Sequence, residues 1–198
     1  SLRLEEPHNR NLPPLKPIDN AVAYRKYATT KMQQFTDFII ESGLVPDRPY
    51  CRAAMAAQTL DYTAPGDRNF FLRITALDPW PLYSHDIHWT ELARIKDDPN
   101  PDPIRRGAPL FNIYAARSEG FATAYEEIVM QAGLYDHEPR GRELVWSMLA
   151  NRAARGLAPK YVQAHQIDLA TAGRFHASWT ASGYSGRTEE HTLEIQPP

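Results

Sequence analysis

Apolar residues recur at helical spacing along most of the chain, and proline and glycine cut that periodicity into segments. The first run covers about residues 19–42. Asp19 or Asn20 can cap it, Gly43 ends it, and Val22, Tyr24, Tyr27, Phe35, Phe38 and Ile39 build its apolar face. Before it, residues 1–17 are polar and proline-rich and are expected to form an extended arm over a neighbouring surface. Residues 18–198 are expected to form a single mainly helical domain, part of a larger catalytic unit. The stretch 44–67 is mixed, with a short helical piece near 52–59. Asn69 to Thr75 reads NFFLRIT, a short aromatic-rich run between Gly-Asp and Asp-Pro turn signals, which predicts a strand. Further helices are predicted over about 82–96, 109–132, 138–155 and 159–182, with a loop at 97–107 and a strand-like piece at 192–196. The fold class is mainly α with a short β element.

Composition narrows this picture without redirecting it. The 198 residues are 42% hydrophobic and 23% charged, as in ordinary globular proteins, and suffice for one core. A net charge of −2 gives no electrostatic reason to expect nucleic acid or an anionic membrane surface as partner. No apolar run reaches the roughly 20 residues that span a bilayer, so no membrane insertion is expected. No secretory signal is evident, and a start at Ser1 reads as a processed or excised piece. Cys51 is the single cysteine, which precludes an internal disulfide and fits a reducing compartment. A soluble protein of the cytoplasm or periplasm is expected. The 17 prolines fall in clusters between periodic stretches, so they punctuate helices rather than mark disorder.

Candidate chemistry is concentrated between Tyr83 and Glu91. On a helix, His85 and His88 are spaced i, i+3, as are His88 and Glu91, so each pair shares a face. Imidazole and carboxylate are common ligands of zinc and other divalent ions. Asp86 is placed to act as a second-sphere acceptor or as a base for water activated at the ion. The competing reading is a polar helix start, where Ser84 and Asp86 favour the macrodipole. Some thirty residues on, Glu119 lies in a helix of small residues (Ala115, Ala116, Gly120, Ala122, Ala124), and Gly120 suggests that a neighbour approaches closely. Glu126 lies two turns further on the same side, facing either that neighbour or solvent. A stripe of His165, Leu169, Ala172, His176 and Trp179 suggests a helical interface. Its histidines stand about 16 Å apart at 1.5 Å per residue, too far to share an ion. No phosphate-loop or nucleophile-elbow pattern is present. A di-iron site would need paired Glu-x-x-His helices, and only His88-x-x-Glu91 is evident.

The run Ser118-Glu119-Gly120-Phe121-Ala122-Thr123-Ala124-Tyr125-Glu126, followed by Ala132-Gly133-Leu134-Tyr135-Asp136, resembles the C-terminal half of the domain-of-unknown-function 885 family. Members carry a similar E-G-W-A-L-Y-A-E helix followed by G-L-Y-D, and are regarded as zinc peptidases related to the Taq-type thermostable carboxypeptidases. The resemblance spans about residues 35–198 and is most specific over 118–136. It implies a helical metallopeptidase-like half-domain with Glu119 as a metal ligand and His88 at the end of the family's H-E-x-x-P-G-H-H segment.

The departures are specific. Where members have the leading His-Glu, this chain reads Pro81-Leu82 or Leu82-Tyr83; Pro-Gly is missing, and Ala154 to Ala158 replace a D-x-G-x-H motif. The departures leave two outcomes: a catalytic site that has decayed on a scaffold that now binds, or, the expectation preferred, a rebuilt site with His85, His88 and Glu119 holding a divalent ion, zinc by preference. Asp86 or Glu91 would serve as catalytic base or fourth ligand. Trp80, Tyr83, Trp89, Phe111 and Tyr114 would wall the cleft. The expected function is that of a divergent metal-dependent hydrolase acting on a peptide or small amide. The competing expectation is a non-catalytic helical subunit completed by a second polypeptide in a homo- or hetero-oligomer, because the chain is about half a member's length.

Overall fold

The chain is known from a computed structural model that describes residues 7–58, 60–106 and 113–179. Every extended regular element among these is helical: α1 (Ala21–Glu41), α2 (Pro49–Ala56), α3 (Phe70–Leu77), α4 (Trp80–Asp86), α5 (His88–Asp97), α6 (Pro103–Arg106), α7 (Ile113–Gln131), α8 (Arg140–Gln163) and α9 (Leu169–Trp179). The protein is mainly α. No helix among the described residues is long and apolar enough to cross a membrane.

Helix α1 forms where its signals place it. Asn20 accepts the Ala23 amide at 2.9 Å, and Gly43, at φ +71°, turns the chain out. Met32, Phe35 and Ile39 line one face at helical spacing and are buried against Trp80, Tyr83, Val129 and Tyr135. Burial of side chains of this size is worth about 1.5–3 kcal/mol each. Val22, expected on that face, stands 79% exposed, because it lies about 200° round the helix from Tyr24, which is buried.

The strand expected at residues 69–75 is a helix. Asn69 accepts the Leu72 amide at 3.0 Å and caps α3, whose apolar residues pack on Leu144 and Met148 of α8. Among the described residues no strand is available to pair with it, so its backbone groups are satisfied by helical bonds within the segment. The asparagine ahead of an apolar run was the cue for this. The strand-like piece at 192–196 lies outside the described residues.

Two helix boundaries also differ. The helix expected over 82–96 is two, because the His88 ring takes the His85 carbonyl (Nδ1 to O, 2.9 Å) and the chain steps at Ile87. Conversely, α8 continues through Gly156 and Pro159 to Gln163, where two helices were expected. The break comes later, where His165 adopts φ 55° and Asp168 accepts the Thr171 amide at 2.6 Å to start α9. His165 thus lies in a turn, outside the helical stripe.

Helix α4 is fastened to α1 by two side chains. The Trp80 indole donates to the Lys31 carbonyl at 2.9 Å, and the Tyr83 hydroxyl donates to the Ala28 carbonyl at 3.1 Å. The Lys31 ammonium lies 3.5 Å from the Trp80 ring centre and pairs with Glu138. Beside them Asp78 is 1% exposed and accepts the Trp80 amide at 2.9 Å. Burial pushes its carboxyl from 3.8 up to about 6, with Lys31 pulling the other way. A raised carboxyl stabilises the fold fully below its unfolded value, and the contribution is lost as pH rises through about 6. Relative to Asp78→Asn, the wild type should therefore lose up to about 3 kcal/mol of unfolding free energy between about pH 4 and pH 7. Denaturant titrations of both proteins across that range check it, and parallel pH profiles would refute it.

The N-terminal arm is held by polar contacts. Asn9 is fully buried and donates to the Pro139 carbonyl and to Glu143 at 3.2 and 2.9 Å, while Arg140 donates to the Asn9 and Leu12 carbonyls. Arg68 holds Asp19 at 2.7 Å.

Candidate functional site

Helices α4 and α5 both pack on α7, which brings His85 of α4 to Glu119 and Glu126 and His88, the first residue of α5, to Glu119. The two ring centres stand 5.5 Å apart. Although Ile87 interrupts the helix, its backbone stays in the helical region (φ −56°, ψ −24°), so the i, i+3 pair keeps a common face.

Each imidazole is oriented through Nδ1. His85 Nδ1 lies 2.8 Å from Glu126 Oε1, and Glu126, fully buried, is gripped on its other oxygen by Arg152 of α8. Arg152 lies with its guanidinium carbon 5.7 Å from the Phe71 ring centre. His88 Nδ1 is fixed by the His85 carbonyl, an acceptor only. Both Nε2 atoms then face Glu119, at 3.3 Å from Oε2 for His85 and 3.8 Å from Oε1 for His88. The Glu119 side chain is 62% exposed, which leaves this end of the cluster open to solvent.

Asp86 lies beside the pair. Burial raises its carboxyl from 3.8 to about 6; His85 and His88 lower it, and Glu126 adds to the rise. Glu91 goes elsewhere: Arg94 takes both its oxygens at 2.7 and 2.8 Å. Of the five expected site residues, His85, His88 and Glu119 meet directly, Asp86 feels the charge of both imidazoles without a hydrogen bond to either among those described, and Glu91 is committed to its own helix.

Among the expected wall residues, Trp80 and Tyr83 belong to the core at 7% and 1% exposure, because their polar atoms are spent on α1. Trp89 is 42% exposed, with its ring 5.0 Å from that of His88. Phe111 and the side chain of Tyr114 lie outside what the structure describes. Cys51 is 2% exposed and burial pushes its thiol up, against a nucleophilic role. The close neighbour expected at Gly120 is absent among the described residues, since a Cβ there would meet nothing within 4 Å.

Two features escaped sequence reasoning. The two-turn spacing placed Glu126 on the side of Glu119 but left its burial open. Arg152 had no local signal, because its partner is 26 residues away on another helix.

As the side chains stand, Glu119 lies against both rings, and among the described residues no group of three or more His, Cys, Asp or Glu is placed to hold a metal ion. No protein-family model, no curated protein and no solved structure matches the chain.

Proposed function

We propose that the chain is a metal-dependent hydrolase-like protein of the peptidase or amidase kind, holding a divalent ion, zinc by ligand chemistry, between His85, His88 and Glu119. One observation carries the reading. Both imidazoles have Nδ1 committed to an acceptor, so in their neutral forms both Nε2 lone pairs face a carboxylate. Three acceptors turned toward one another are relieved by positive charge among them, either a proton on one imidazole or a bound cation, and the cation is the reading proposed. The separations, 3.3 Å to Oε2 from His85 and 3.8 Å to Oε1 from His88, are longer than a charge-assisted hydrogen bond and near the roughly 3.4 Å between ligands on a tetrahedral ion with bonds near 2.1 Å, so a small turn of the carboxylate would bring the three groups round one ion. Two imidazole nitrogens and a carboxylate fit zinc, and rotation of the exposed Glu119 side chain opens the set.

Such an ion supplies a polarised carbonyl and a water acidified toward neutrality. The chain's own residues do the rest. Glu126 and the His85 carbonyl hold the two rings in register. With Glu119 and Glu126 engaged with the rings and Glu91 bound to Arg94, Asp86, whose carboxyl feels the charge of both imidazoles, would act as proton acceptor. Trp89 offers an apolar face beside His88 for a substrate side chain.

Calorimetric titration of chelator-treated protein with zinc should show one equivalent bound, with His88→Ala and Glu119→Ala weakened by more than about 100-fold. Zinc-dependent cleavage of a fluorogenic peptide mixture should disappear in the same variants. Binding well below one equivalent by the wild type would sink the proposal.

A further inference from the structure

The Glu126–Arg152 pair joins three helices at one point, and the role of Glu126 follows from which atoms can donate. Arg152 carries donors only, and its guanidinium holds Glu126 Oε2. Glu126 Oε1 is left to accept from His85 Nδ1 at 2.8 Å, inside a site where the glutamate is fully buried and no other group competes on that oxygen among the hydrogen bonds described. The proton of a neutral His85 is thereby held on Nδ1, and the lone pair is turned outward on Nε2, toward Glu119.

We propose that Glu126 and Arg152 are positioning residues that select the His85 tautomer and ring orientation for ion binding. The ion-binding part rests on the function proposed above, whereas the tautomer does not depend on it. Arg152 is needed because a glutamate held at one oxygen by a fixed guanidinium cannot rotate away from the ring. The Phe71 ring flanks the guanidinium, 5.7 Å from its carbon.

Glu126→Gln separates this role from simple packing. The glutamine has nearly the same shape, but its amide must turn its oxygen to Arg152, because an NH2 group facing a guanidinium sets donor against donor. Its NH2 then faces His85 Nδ1, which has to accept. The proton of the imidazole moves to Nε2, and the lone pair facing Glu119 is lost.

Nitrogen-15 NMR of histidine-labelled, metal-free protein near pH 8.5 reads the tautomer directly. Wild-type His85 should show a protonated Nδ1 and a bare Nε2, and Glu126→Gln the reverse. Zinc affinity of the variant should fall roughly 10- to 100-fold, the usual range for a lost outer-sphere partner. Circular dichroism establishes that the variant is folded. Arg152→Lys, which keeps a cation but not the fork, gives an intermediate loss if it can still hold Glu126 Oε2. A wild-type His85 protonated at Nε2 would overturn the proposal outright. So would a folded Glu126→Gln protein with the wild-type tautomer and undiminished zinc affinity. If the wild type binds no zinc, the proposed function fails alone, and the NMR comparison still decides the tautomer.

Discussion

Arg152→Met should destabilise the protein by about 3 kcal/mol, the range for removing one partner of a buried ion pair. The cause lies in Glu126, which is fully buried in α7 and loses its only cationic partner among the described contacts apart from the His85 ring. A methionine fills the stem volume, so the loss reports charge rather than a cavity. The double variant Arg152→Met, Glu126→Leu should recover most of the loss, because an apolar pair of similar volume replaces a buried ion pair at little cost. Chemical denaturation of the two proteins measures both numbers. Equal stability of single and double variants would mean that Glu126 is not the seat of the penalty.

Gly141→Ala should also cost about 3 kcal/mol, through overpacking. A Cβ at residue 141 would stand 2.2 and 2.4 Å from Cδ1 and Cε1 of Tyr135 and 3.2 Å from Asp78 Oδ2. Tyr135 has nowhere to go: it is fully buried, with its ring edge-on to Trp80 at 5.7 Å between centres. A shift there presses on the residue that fastens α4 to α1, so the strain reaches the helix that carries His85. Gly120→Ala gives the opposite sign. Its Cβ meets no described atom within 4 Å in the middle of α7, and alanine gains about 1 kcal/mol in helix propensity. Thermal unfolding of the two variants should therefore move in opposite directions. A stabilised Gly141→Ala protein would contradict the packing described here.

The two glycines also show where the chain was legible. Gly120, inside a helix of small residues, suggested a close neighbour that the described residues lack, while Gly141, where the approach is close, carries no local signal of it. Neither inference follows from local sequence, because close approach belongs to the partner helix. The same limit governed NFFLRIT. A short apolar run between turn signals has no decisive period, and the choice between strand and helix fell to Asn69 as a cap and to the absence of a pairing strand among the described residues. At Pro159 the breaker signal overstated its case, since α8 tolerates one missing amide donor while its flanking turns stay packed on α9.

Period and capping, which act within a few residues, sufficed for what was local: a mainly helical chain, the start and end of α1, the shared face of His85 and His88, and the shared side of Glu119 and Glu126. Those relations repeat every turn, so the primary structure carries them whatever else the chain does. The meeting of α4 and α5 with α7, and of α7 with α8, is of another kind. It joins residues 31 to 41 positions apart in the histidine–glutamate contacts and 26 apart in the Arg152–Glu126 pair. Long-range packing chose Glu126 as the buried carboxylate, Arg152 as its counter-charge and Glu119 as the exposed one, whereas the pairing of Glu91 with Arg94 is a local i, i+3 contact within α5. Desolvation decides those roles, and desolvation exists only once the helices have come together.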